Sequence, residues 1–242
     1  MTTVAIMQPT YLPWCGYFDL MDQVDLFVYL DAVQFDRRSW QQRNRVKSRD
    51  GALWLTVPVQ SKGKRDQLIC DVELDATSDW ATKHIKTIGQ CYARASHYTD
   101  RVEPIVEVLG AGFERLADLN VALIDALCSM LGVQTETVRS TALAPSGGKG
   151  ELLVAICKEL GATRYVSPPG SRDYLDEHNP FPAAGIDLCY QAYEHPVYDQ
   201  LFGEFVSHLS VVDLLMNEDN PGDALRSGRA DVETTRVQQE VK

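Results

Sequence analysis

No apolar run in the 242-residue chain approaches the roughly 20 residues that a membrane-spanning helix needs. Nor does a secretory h-region precede the first strand-like segment, so the protein is expected to be neither exported nor membrane-spanning, and cytoplasmic. The six cysteines (Cys15, Cys70, Cys91, Cys128, Cys157, Cys189) include no CxxC pair. That spacing indicates neither a disulfide framework nor a zinc site, and reduced thiols are expected. There is no GxGxxG fingerprint and no Walker loop, because Gly147-Gly148-Lys149-Gly150 lacks the GxxxxGK[ST] spacing. No internal repeat and no metal-ligand cluster of histidines and acids is visible. Excess basic charge is absent too: a net charge of -11 argues against nucleic-acid or anionic-membrane partners, whose binding faces are broadly basic.

What is present, 45% hydrophobic content over this length, suffices for one large core. Thr3 to Met7 is a short apolar run stopped by Pro9 and Pro13. Gly16 to Gln23 carries helical spacing, and Leu26 to Leu30 is a second apolar run of the kind that suits a buried parallel strand. This is a βαβ opening. Trp54 to Val59 and Ile69 to Leu74 alternate like half-exposed strands joined by the polar stretch Ser61 to Gln67, which predicts an antiparallel hairpin. Helical periodicity then runs from Asp79 to Leu131, with Leu116, Leu119, Leu123, Leu127 and Leu131 on one stripe. A helix over Glu151 to Leu160, strands over Arg164 to Ser167 and Ile186 to Tyr193, and a short helix over Leu209 to Met216 complete the pattern. The expected fold is α/β: a Rossmann-like, mainly parallel sheet with a helical insertion and a short antiparallel hairpin. Residues 1–216 form the domain and the polar residues 217–242 a mobile tail.

Two features point to chemistry. Arg37, Arg38, Arg43, Arg45, Lys47, Arg49, Lys62, Lys64 and Arg65 crowd one window in which Asp50 is the only acid. Such a wall suits phosphate or carboxylate, although a solvated loop paired with acidic helices accounts for it equally well. Gln8 and Tyr11 follow the first strand and Asp31 and Gln34 the second, and ligands of open α/β sheets bind beyond the carboxyl ends of strands. Each of the four also has an ordinary role available, capping a loop or packing. Cys15, at a helix start, reads as a small buried thiol rather than a nucleophile.

The segments Ile6 to Trp14, Gly16 to Asp19, Phe27 to Phe35 and Ser39 to Arg45 resemble the opening of the WbqC-like family. The resemblance continues through Trp54 to Val59, Trp80 with Lys83-His84, Asp173-Tyr174-Leu175, and His195 to Tyr198 before Leu209-Ser210, spanning about Val4 to Asn217. Ala32 stands where the family often has a second acid, and Ser167-Pro168-Pro169-Gly170 replaces a shorter Ser-Gly loop. Membership implies a biosynthetic role in surface glycans, such as the O-antigen of lipopolysaccharide, or in natural products, with group transfer to an amino sugar or similar acceptor. A second likeness, of layout, is to the HxGH region of Rossmann-like nucleotidyltransferases. Trp14 and Tyr17 stand where that motif has histidines, which stabilise charge on phosphate oxygens; tryptophan cannot do this, and tyrosine can do so only as a neutral donor.

The function expected is acyl or aminoacyl transfer to an amine or hydroxyl. His84 is the leading base because imidazole titrates near neutrality; a surface histidine beside Lys83 and Lys86 is the competing view. Asp31 and Tyr11 join His84 as the expected catalytic set. Gln8, Gln34, Arg37, Trp40, Arg43 and Asn44 are the expected substrate contacts, with Asp173, Tyr174 and His195 behind them. No resident cofactor or metal is expected; a thioester or nucleotide-linked co-substrate is. The expected partners are a small phosphate-bearing substrate and a carrier protein. The competing class is a non-catalytic protein that binds a nucleotide-linked sugar or a carrier phosphopantetheine arm, and a divergent nucleotidyltransferase is a further alternative.

Overall fold

The computed structural model of the protein describes residues 1–143, 145–230 and 233–234. Strand β1 (Thr3–Met7) leads through a Pro-containing loop into helix α1 (Cys15–Asp22) and back to β2 (Leu26–Tyr29), which pairs with β1 in parallel. Both strands bury apolar residues on both faces, and each face has its own core. Ala5, Phe27 and Tyr29 pack with α1, while Val4, Ile6 and Val28 pack on the other side.

A two-stranded hairpin, β3 (Arg43–Ser48) and β4 (Gly51–Thr56), follows. Then come α2 (Trp80–Tyr92), α3 (Tyr98–Arg101), α4 (Glu103–Gly110) and α5 (Leu116–Leu131), the expected helical insertion. Strand β5 (Glu136–Arg139) extends the sheet beyond β2. Helix α6 (Gly150–Glu159) crosses over to β6 (Arg164–Ser167) on the other side of β1, and α7 (Arg172–Glu177) leads to β7 (Asp187–Tyr190). Helices α8 (Val211–Asn217) and α9 (Pro221–Ser227) precede a short β8 (Glu233–Thr234), antiparallel to β7. The sheet order is β5-β2-β1-β6-β7-β8, so strand succession reverses between β1 and β6. At this switch point the loops leaving the two strands part and leave a crevice.

Three elements differ from expectation. The hairpin lies earlier in the chain than alternation predicts. Polar residues 43–48 form a strand because Asn44, Val46 and Lys47 are buried under it, whereas Ile69 to Leu74 never gains a single partner strand. Its backbone amides bond instead to Val33, Asp31 and Glu114 in turn, with a 3-10 turn at Ile69–Asp71. Strand β5 is four residues at the parallel edge of the sheet, too short and too polar for periodicity to reveal.

Part of the segment beyond Asn217, expected as a tail, is helical. Helix α9 packs on α1 and α5, and a Cβ on Gly222 would lie 2.6 Å from the Leu131 carbonyl oxygen. Arg226 and Arg229 then pair with Asp22, and Arg229 with the fully buried Asp19. Residues 231–232 and 235–242 of that expected tail lie outside the described residues.

Candidate functional site

The crevice at the switch point is a cavity of about 290 Å³. Met7, Gln8 and Thr10 leave β1 along one side, Pro168, Ser171 and Tyr174 leave β6 along the other, and Leu153 and Tyr165 line it with apolar surface. Trp40, half exposed, closes one end and also borders a second cavity of about 210 Å³ that shares Met7 and Thr10. Tyr174 borders a third opening, of about 540 Å³, beside Gly148 to Glu151 at the start of α6.

The loop after β1 is held by residues distant in sequence. Asn120, fully buried on α5, donates from Nδ2 to the carbonyls of Pro9 (3.0 Å) and Gln41 (2.8 Å), so one side chain pins both loops of the crevice. The Gln41 side chain donates to Gln8 Oε1 at 2.7 Å, and its own Oε1 accepts from the Asp36 amide. Those bonds orient Gln8 with its amide nitrogen as the remaining donor, beside the crevice. Asn44 is spent on the same scaffold, donating to the carbonyls of Tyr11 and Leu12 while its oxygen accepts from the Arg45 amide. Asn120 does not emerge from the sequence as a site residue, and Gln41 does so only as one of the segment Ser39 to Asn44, without a role of its own. The available signal for Asn120 is an amide set between Leu119 and Leu123 on a buried stripe.

His84 and Tyr11, expected as base and catalytic partner, do meet: the Tyr11 hydroxyl lies 2.8 Å from His84 Nδ1. Both are buried, however, and neither lines the crevice. Burial lowers the His84 pKa to about 4, although the Thr56 backbone opposes the shift, and burial raises the Tyr11 phenol far above its usual range. The pair therefore braces β1's loop against α2, and the His84 ring is not among the residues that line the crevice. The physical reason is packing: the ring lies between Tyr11 and Trp80 rather than on the lysine-bearing surface of α2.

Asp31 is likewise withdrawn from the site. It is fully buried, accepts from Arg139 Nε, Ser140 Oγ and Thr141, and ties the ends of β2 and β5 together. Gln34 lies in an exposed loop, bonded to the Arg65 carbonyl and Asp66. Arg37 is exposed, whereas Arg43 stacks on Trp54, its Cζ 4.4 Å from the ring centroid. The basic window is thus dispersed. Lys47 is buried and donates to Gln200 and the Glu204 carbonyl, and Lys64 pairs with Glu73.

Asp173 is exposed beside Tyr174, which is in the crevice. His195 stacks on Trp14 away from it, bonded through Nδ1 to the Pro196 carbonyl, and burial lowers its pKa. Cys15 is fully buried and its thiol pKa is pushed up chiefly by that burial. Of the expected set, then, Gln8, Trp40 and Tyr174 gather at the crevice, while Tyr11, Asp31, Asn44 and His84 form its frame. Among the described residues no group of three or more His, Cys, Asp or Glu is placed to hold a metal ion, and no helix is long and apolar enough to cross a membrane.

The sequence model of the WbqC-like protein family matches residues 8–223. A protein of Mycobacterium tuberculosis (strain ATCC 25618 / H37Rv), described as uncharacterized protein Rv1507c, is 38% identical over 219 residues, covering 90% of this chain and 94% of its own length. No solved structure was found to match.

Proposed function

The chain belongs to the WbqC-like protein family, and we propose that it is a cytoplasmic biosynthetic transferase that moves an acyl or aminoacyl group onto an amino sugar or similar amine. The observation that supports this reading is the pair of adjoining cavities at the switch point, one with polar groups and one aromatic, which share Met7, Thr10 and Trp40. Two adjoining compartments suit a two-substrate reaction, in which orientation supplies much of the rate. The amine nitrogen attacks the carbonyl carbon of a thioester; a C–N bond forms, the C–S bond breaks, and the departing thiolate takes up the proton that the amine loses. The Gln8 amide nitrogen is the donor assigned to the acyl oxygen as charge gathers on it. Surface glycans and specialised metabolites are the product classes to which this chemistry leads.

One observation favours a binding protein instead: among the described residues, the side chains lining the crevice, Gln8, Thr10, Ser39, Trp40, Gln41, Ser171 and Tyr174 among them, include no Asp, Glu, His, Lys or Arg. The two readings separate in a mass-spectrometric assay with acyl and glycyl thioesters of N-acetylcysteamine as donors and glucosamine or a nucleotide-linked amino sugar as acceptor. Acceptor mass gain that falls about tenfold to a hundredfold in Gln8→Leu is expected. No mass gain with any pair, together with a thermal shift on adding the nucleotide-linked sugar, replaces the enzyme by the binding protein.

A further inference from the structure

The smaller cavity, about 210 Å³, is chemically unlike its neighbour. Its walls are Pro13, Trp14, Tyr17 and Trp40, with Arg45 and His208 at one side. Two of the neutral polar side chains there are already committed. Tyr17 donates to the Gln8 carbonyl, and Asn44 spends its amide on the Tyr11 and Leu12 carbonyls and the Arg45 amide. What remains to a ligand is ring and hydrocarbon surface, the Thr10 hydroxyl and the Arg45 guanidinium, which lies 5.8 Å from the centroid of Trp40 and also donates to the His208 carbonyl. The Trp14 wall is fixed from both sides. His208 stacks on it with centroids 5.1 Å apart, and Gly16 leaves the space its indole fills, since a Cβ there would collide with the ring.

We infer that this cavity is a selectivity pocket for a compact, branched or aromatic group whose polar end is neutral or anionic, and that it excludes cationic side chains. Its volume equals that of roughly seven water molecules, the scale of a phenyl or branched acyl unit rather than of a nucleotide. Resting on the acyl-transfer reading, the inference makes this group the acyl or aminoacyl side chain of the donor, with the shared residues Met7, Thr10 and Trp40 at the junction where its carbonyl meets the acceptor. Aromatic walls supply burial, and Arg45 supplies the choice of sign.

The test needs no turnover, so it stands or falls independently of whether the crevice is catalytic. Benzoate, acetate and benzylamine are titrated into the full chain while the four tryptophan indole N–H resonances are followed by NMR. Benzoate should shift the Trp14 and Trp40 signals saturably and leave Trp80 unmoved. Acetate should bind at least about tenfold more weakly for want of buried carbon, and benzylamine should leave all four signals in place. Arg45→Met should weaken benzoate about tenfold and lessen the discrimination against benzylamine. Equal responses to benzoate and benzylamine in the natural sequence overturn the inference even if the variant fails to fold, as does benzoate affinity unchanged by Arg45→Met.

Discussion

Replacing His84 by glutamine distinguishes an internal strut from a working base. The native ring is excluded from protonation until about pH 4, whereas the unfolded chain takes up that proton near 6.5. Between those values the unfolded state binds more protons, so stability falls as pH falls. From pH 7.5 to 5.0 the difference amounts to roughly 2 kcal/mol from this one residue. The glutamine side chain has an oxygen for the Tyr11 hydroxyl and an amide donor for the Thr56 backbone, but no titration in this range. Urea unfolding at the two pH values should therefore show the His84→Gln protein losing roughly 2 kcal/mol less than the parent. Its kcat at pH 7.5 should stay within a few-fold of the parent's. Equal acid losses in both proteins would refute the buried neutral imidazole, and a kcat lowered by about a hundredfold or more would return His84 to the role of base.

Two other substitutions probe the frame. Arg229→Ala leaves the buried Asp19 carboxylate without its guanidinium. It should cost about 3 kcal/mol, read as a Tm lower by roughly 6–12 °C, and an unchanged Tm would show that this pair does not hold the segment after α8 in place. Asn120→Leu strands the carbonyls of Pro9 and Gln41. A loss of about 2 kcal/mol by urea unfolding is expected, with KM rising more than kcat falls as the two loops loosen; unaltered KM would separate Asn120 from the site.

Much of the fold is legible in the sequence because burial on both faces of β1 and β2 leaves continuous apolar runs, and because α5 carries its leucines on one stripe. Alternation misplaces the hairpin because β3 takes its place through the buried amide of Asn44 and the buried stem of Lys47, which read as polar loop residues. Helix α9 escapes periodicity for a similar reason: arginine pairs with Asp19 and Asp22 hold that segment, and these join residues some two hundred positions apart. At the site, polar residues at strand ends are a sound guide to place and a poor one to role. Gln8 reaches the crevice, but Asp31 is consumed by Arg139, Ser140 and Thr141, partners that no local pattern links to it. His84 follows Trp80 by about one helical turn, and that spacing gives no sign of which face turns inward.

The central claim is that substrates meet at the crevice between the ends of β1 and β6. Ser171 lines it from the β6 side and lies outside the Tyr11, Asn120 and Asp31 frame, so Ser171→Trp puts bulk into the cavity rather than into the core. The decisive measurement is kcat/KM of that variant with an acyl thioester of N-acetylcysteamine and an amino-sugar acceptor. A fall of at least about a hundredfold, with an unfolding midpoint close to the parent's, is the result expected from a blocked crevice. Undiminished kcat/KM would contradict it and move the reaction elsewhere on the molecule.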